Sequence, residues 1–233
     1  MTKLIPPHLR LALNRRIVDG PLGVNYLRRR RTMRPLLADS GTDLFVDGFP
    51  RAANSYVFYA IKHANPGAVI RGHTHSAAAI RQSISLGVPT LLLIREPKGC
   101  AASFSQFVPG LSPTEALRHY RRFFRSMTRL EEGLQIATFD QVTLDLANVM
   151  ERLELRTGRE LIPYAATESD MAAVRAILDR SNEQYAGGHE RTAARPSTKR
   201  SSAAEVLRNL DVDGRSLLAE CVELYEKLAV RAS

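Results

Sequence analysis

Short apolar runs alternate with amphipathic stretches along most of this chain, and that alternation sets its plan. "TDLFVDGF" (42–49) is dense in apolar residues and ends in a turn, which predicts a strand. "SYVFYAIKHAN" (55–65) follows as a helix, with Tyr56, Tyr59, Ala60 and Ile61 available for a buried face and a stop at Asn65-Pro66-Gly67. "AVIRGHTHS" (68–76) predicts a short strand with a polar exit, and "AAAIRQSISLG" a short helix ended by Gly87. The strongest strand signal is "VPTLLLIREP" (88–97). Its run of large aliphatics from Leu91 to Ile94 fits a strand covered on both faces. A helix from Lys98 to about Val108 comes next.

Beyond it, Ser112, Pro113 and Glu115 have capping-box spacing with proline in the first turn, and predict a helix that ends at Gly133. "LQIATF" reads as a further strand and "QVTLDLANVMERLELRTG" as one helix. "ELIPYA" reads as extended, "ESDMAAVRAILDRSNEQYA" as helical, and residues 187 to 202 as a polar, basic loop before a last helix from about Ala203 to Val230. Strands alternating with helices argue for an α/β fold: three layers, with a mostly parallel central sheet flanked by helices. In such sheets ligands bind beyond the carboxyl ends of the strands. The polar strand exits fall there.

Composition adds two constraints. No apolar run reaches the ~18 residues a membrane-spanning helix needs, and residues 1–16 lack the apolar core of a secretory signal. Two cysteines, Cys100 and Cys221, are too few for a disulfide framework or zinc cluster and suit a reducing cytoplasm. The formal net charge is +9, and residues 1–40 carry nine basic residues against only Asp19 and Asp39. This divides the chain into a basic leader (1–40), made of short helices or irregular structure, and a single α/β domain (41–233). An excess of positive charge favours anionic partners.

Three strand exits carry candidate chemistry. In the first, Pro50 to Tyr56, a turn at a helix start aims backbone N–H groups at one spot where the helix dipole favours an anion. Arg51 adds a cation, Asn54 and Ser55 add donors, and Tyr56 a ring for stacking. The competing reading makes Ser55 a helix cap and Arg51 a solvated turn residue. In the second exit, Arg95 ends the strand and Ser103 lies eight residues later, over a turn into the next helix. That pair suits a phosphate, or else Ser103 packs and Arg95 is a surface cation. In the third, His73-Thr74-His75, a histidine could act as general base. No Cys, Asp or Glu nearby completes a metal site with the pair.

Together the exits resemble the PAPS-dependent sulfotransferases, which use 3′-phosphoadenosine 5′-phosphosulfate (PAPS) as sulfuryl donor. The family's Y-P-[KR]-S-G-T-[TS]-W turn reads here "FPRAANSY", and its R-[ND]-P-R-D-x-x-x-S-[FY] signature reads "REPKGCAASF" with the Arg-to-Ser interval kept. Its K-T-H exit reads "HTH", and its Y-E-D-L segment and following helix read "FDQVTLDLANVMERL". The resemblance orders four segments over about residues 43–157, and implies a P-loop nucleotide-kinase-like fold. It implies that Arg51, Ala52, Ala53, Asn54 and Ser55 cradle the 5′-phosphosulfate, that Tyr56 stacks on adenine, and that Arg95 and Ser103 hold the 3′-phosphate. Phe139 takes a tyrosine position, and His75 is the base, with His73 next in line. Ala52 and Ala53 replace the family's Ser-Gly pair, which tightens backbone approach. The C-terminal glycine-rich loop is not matched, and Arg195, Lys199 and Arg200 would supply its charge.

The implied activity is transfer of a sulfuryl group from PAPS to an acceptor hydroxyl or amine, leaving 3′,5′-diphosphoadenosine (PAP). No metal is expected, and the acceptor is a small molecule, glycan or lipid. A second reading is a nucleotide-dependent kinase with a degenerate phosphate loop, although G-x-x-x-x-G-K-[ST] is absent. A third is a non-catalytic basic module for anionic partners. In it, Arg28 to Arg31 dock nucleic acid or an anionic membrane; in an enzyme the same run would steer an acidic acceptor or touch a membrane surface, and otherwise it is a solvated charge run. Nucleic acid is disfavoured, because the leader lacks interleaved aromatics.

Overall fold

The computed structural model describes residues 6–130, 133–186, 202–208 and 210–232, with only the backbone of residues 185 and 186. Four strands, β1 (Leu44–Gly48), β2 (Ile70–Gly72), β3 (Thr90–Ile94) and β4 (Leu134–Thr138), form one all-parallel sheet in the order β2-β1-β3-β4. Eleven helices among the described residues surround it: α1 (Pro7–Asp19), α2 (Gly23–Arg28), α3 (Asn54–Ala64), α4 (Ala77–Ser85), α5 (Pro97–Phe107), α6 (Pro113–Met127), α7 (Phe139–Leu144), α8 (Leu146–Thr157), α9 (Glu168–Ala186), α10 (Ala203–Leu207) and α11 (Val212–Ala229). The expected α/β architecture, a parallel sheet between helical layers, is the one present.

Strand side chains alternate between two cores, as a period of two requires. Leu44, Val46, Leu91 and Leu93 face α3, α8 and α9, while Phe45, Leu92 and Ile94 face α4, α5, α6 and α11. All five residues of β3 are buried, so the run Leu91–Ile94 is covered on both faces. Each such side chain contributes about 1.5–3 kcal/mol of burial. Val18, Leu27, Leu37 and Ala38 from the first forty residues enter the same core as Phe45 and Leu92. No helix among the described residues is long and apolar enough to cross a membrane.

Two long helices expected from the sequence are each broken once. The segment from Gln141 to Thr157 divides at Asp145, whose backbone is non-helical and whose carboxylate accepts from the Asn148 N–H at 3.1 Å, starting α8. Asp211 does the same for α11, accepting from Gly214 N–H at 2.6 Å. An aspartate at such a position satisfies first-turn donors, and so favours a new start over continuation. "ELIPYA" forms no strand, yet it buries Leu161 and Tyr164 and is tied at Ile162 to both ends of the Asn65 amide.

Candidate active site

β1 leads to β2 on one side and β3 leads to β4 on the other, so the order in which strands are added reverses between β1 and β3. That is the topological switch point of an open parallel sheet, where a crevice forms outside the carboxyl ends. α3 leaves β1 on one face and α5 leaves β3 on the other, so the first two exits flank this crevice. The third exit, from β2, borders β1.

The turn after β1 is held by its carbonyls. Phe49 O accepts from Asn54 Nδ2 at 2.7 Å, Pro50 O from Cys100 Sγ at 3.4 Å, and Arg51 O from the Arg95 guanidinium at 3.1 Å. Burial pushes the Cys100 thiol up to about 12, so it serves here as a donor. Ala53 caps α3 in the left-handed region (φ 67°) with no side-chain cap, and the first-turn N–H groups point outward from the helix start. The Asn54 amide nitrogen, expected as a ligand donor, is instead turned inward, because the turn carbonyl at Phe49 needs it.

Arg51 and Ser103 meet: Arg51 Nε donates to Ser103 Oγ at 2.9 Å, and the Arg51 guanidinium lies over the Phe107 ring at 5.2 Å. Accepting from Arg51 leaves the Ser103 hydroxyl proton to donate onward. Arg95 lies over the Phe139 ring at 4.1 Å, which accounts for an aromatic at that position without its hydroxyl. Tyr56 stands edge-on to Tyr164 at 6.2 Å and is half-buried. Arg51, Arg95, Ser103 and Phe139 are therefore brought together. Arg195, Lys199 and Arg200 lie outside the described residues.

The histidine exit is the most constrained part of the site. His73 (φ 58°) and His75 (φ 54°) are both left-handed, as are Arg51 (φ 74°) and Ala53 (φ 67°); among the described residues only one other non-glycine, Ala166, shares that region. Each such residue costs about 1–3 kcal/mol and persists where surroundings over-determine it. Asp47, fully buried in β1, supplies much of that constraint. Its carboxylate accepts from the N–H groups of Gly48 (2.8 Å), Thr74 (2.9 Å) and His75 (2.9 Å) and from the Thr74 hydroxyl (2.5 Å). From the other side, the buried Arg15 of α1 donates to His75 O, pairs with Asp19 at 3.2 Å, and rests near the rings of Phe49 and Phe123. Burial lowers the Arg15 pKa, an effect opposed by Asp19 and Asp47.

His75 Nδ1 lies 3.0 Å from Gly48 O. A carbonyl can only accept, so Nδ1 carries the proton and Nε2 carries the lone pair. Burial is the main force pushing His75 down to about 4, with Arg15 and Arg51 adding to it, so the ring is neutral near pH 7. His73 is likewise pushed down to about 4, first by burial and then by His75; its Nε2 is hydrogen-bonded to Ser55 Oγ at 3.0 Å. Ser55 is thereby the partner of His73, and the site contains two neutral imidazoles with ring centroids 4.9 Å apart.

Sequence reasoning did not single out Asp47 or Arg15. Asp47 had a signal, a carboxylate inside an apolar strand. Arg15 had none that set it apart from the other basic residues of its segment. Among the described residues no group of His, Cys, Asp or Glu gathers as a metal site. A cleft of about 250 Å³ lined by Thr90, Leu134, Gln135 and Arg156 lies at the opposite, amino ends of β3 and β4, away from this chemistry.

No family model matches the chain, and no curated protein matches it. Among solved structures the chain is similar to mouse sulfotransferase SULT7A1 complexed with PAP, at 12% identity and a TM-score of 0.42, over 82% of this chain and 94% of that one. A likeness at this level assigns no residue of the site.

Proposed function

We propose that the chain transfers a sulfuryl group from PAPS to an acceptor hydroxyl or amine at the β1–β3 switch point. One observation carries the reading: Arg51, Ser103 and Arg95 form a connected cationic and hydroxyl cluster at the crevice, beside a neutral histidine whose tautomer leaves Nε2 as the acceptor of a proton. The donor set fits an anionic nucleotide. Arg51 and the first-turn N–H groups of α3 would hold the 5′-phosphosulfate, and Arg95 with Ser103 the 3′-phosphate. Tyr56 and Phe139 are the rings available to the base.

PAPS supplies a sulfuryl group on a good leaving phosphate. His75 accepts the acceptor's proton at Nε2 as the acceptor oxygen or nitrogen bonds to sulfur and the bond from sulfur to the phosphate oxygen breaks. Asp47, 3.8 Å from Nδ1, stabilises the imidazolium that results. Arg51 stabilises the negative charge left on the phosphate; a donor in such a role is worth on the order of 3 kcal/mol of barrier. Because arginine stays protonated, it acts by charge and not as an acid.

Calorimetric titration with PAP, beside ATP with Mg²⁺, tests this reading. Binding of PAP without ATP supports it. Binding of ATP with Mg²⁺ in preference to PAP overturns it in favour of phosphoryl transfer.

A further inference from the structure

The first two helices carry both apolar and basic side chains in exposed positions. Leu9 and Leu13 sit one turn apart on α1 and are 51% and 59% exposed; Leu22, at the start of α2, is 70% exposed. Arg16, a further three residues along, shares the Leu9–Leu13 stripe, and the buried Val18 lies on the opposite side of the helix. The stripe is therefore the side turned away from the core. Tyr26 of α2 donates to Asn14 of α1 at 2.8 Å, which fixes the two helices together.

The same segment carries exposed cations: Arg10 and Arg16 on α1, Arg28 at the end of α2, Arg29, Arg30 and Arg31 beyond it, and then Arg34; Arg28 donates to Asn25, and Arg30 donates to Tyr26 and lies over its ring. Both acids of the segment are committed elsewhere. Asp19 pairs with the buried Arg15, and Asp39 pairs with Arg71 at 2.8 Å. Among the described residues none of those seven exposed arginines forms an ion pair with a carboxylate. Surface arginines are ordinarily interspersed with acids, so an unneutralised group of seven calls for an external anion.

We propose that α1, α2 and the arginine run dock on an anionic lipid surface, with Leu9, Leu13 and Leu22 entering the headgroup boundary and the arginines meeting lipid phosphates and carboxylates. Charge complementarity selects an anionic partner, and the leucines select lipid over nucleic acid. A duplex would take the arginines but leave three leucines in water, whereas a bilayer accommodates both. The inward face of α1 bears Arg15 and Val18, which hold His75 O and Ser76 Oγ. A docked α1 would stand between the lipid and the histidine exit, about one helix diameter (~10 Å) thick. The docking itself does not depend on the sulfuryl-transfer reading.

The test is co-sedimentation of the full chain with phosphatidylcholine vesicles, with and without phosphatidylserine, at low and high salt. The wild type should pellet with the anionic vesicles, remain in solution with phosphatidylcholine alone, and be released by salt. Each arginine near the surface is worth about fivefold in binding. Replacing Arg28, Arg29, Arg30 and Arg31 by Gln should therefore weaken it by at least a hundredfold. Leu9→Gln with Leu13→Gln should weaken it about tenfold, with a melting temperature unchanged because both side chains are exposed. Failure of the wild type to sediment with anionic vesicles overturns the proposal. So does a double leucine variant that binds as well as the parent, or a DNA duplex that binds more tightly than the vesicles.

Discussion

Asp47→Asn tests how the histidine exit is held. The parent carboxylate accepts four hydrogen bonds, two at each oxygen: Gly48 N–H and His75 N–H at Oδ1, and Thr74 N–H and hydroxyl at Oδ2. An asparagine keeps one oxygen and so one pair. If its NH₂ faces Thr74, the hydroxyl can turn round and accept, but the Thr74 N–H is left against a donor. One buried, unsatisfied N–H costs about 1–3 kcal/mol, and the remaining bonds lose their charge assistance. Opposing this, burial raises the Asp47 pKa, so the parent carries a desolvation cost that the neutral amide would relieve. Four short bonds and two left-handed histidines that depend on them decide the balance, and a net loss of about 2–4 kcal/mol is expected. Urea denaturation of parent and variant at constant pH, compared by midpoint at equal slope, measures it. A variant as stable as the parent, or more stable, would mean that desolvation dominates and that Asp47 does not hold the exit.

The buried histidines should also take stability away as pH drops from about 6.5 toward 4, while Asp19 and Asp47, whose pKa values burial raises, act in the opposite sense. His73, His75 and His119 are pushed down to about 4 by burial, so the unfolded chain takes up protons that the native one refuses; the penalty is absent above 6.5 and grows below it, reaching about 2 kcal/mol at pH 5 for a well-buried ring such as His119, as urea midpoints across that range would show. Tyr164 is buried with no partner for its hydroxyl among the described residues, and burial raises its pKa to about 12, so Tyr164→Phe should be neutral or stabilising by up to about 1 kcal/mol in thermal melts; a loss above that would reveal a partner. Arg51 helps to depress the His75 pKa, so an anion bound at Arg51 should raise it; NMR titration of the His75 ring with and without PAP would register the shift, and an unchanged or lowered pKa would separate the two groups.

The parts of the fold legible in the sequence were those written in local pattern. Leu91 to Ile94 announced a doubly covered strand, and Ser112 with Glu115 announced a capping box that is present. Helix continuity was less legible. Asp145 and Asp211 sit within helical periodicity, and only the geometry of their flanks makes them caps instead of surface acids. At the site, Arg51, Arg95 and Ser103 could be placed by strand ends and spacing, whereas the inward turn of Asn54 depends on a carbonyl five residues earlier. Arg15 was illegible for a different reason. Its burial arises from packing between α1 and the exit sixty residues later, and no short window contains that contact.

Under the proposed function, the β1 and β3 exits together hold one nucleotide bearing phosphates at both 5′ and 3′ positions. Calorimetric comparison of PAP with adenosine 5′-phosphate, in the parent and in Arg95→Ala and Ser103→Ala, tests it most directly. Hydrogen bonds to a charged group are worth about 1.5–3 kcal/mol, so PAP should bind about ten- to a hundredfold more tightly than adenosine 5′-phosphate. That advantage should shrink or vanish in both variants. Equal affinity of the parent for the two nucleotides, or an advantage that survives both substitutions, would contradict the account.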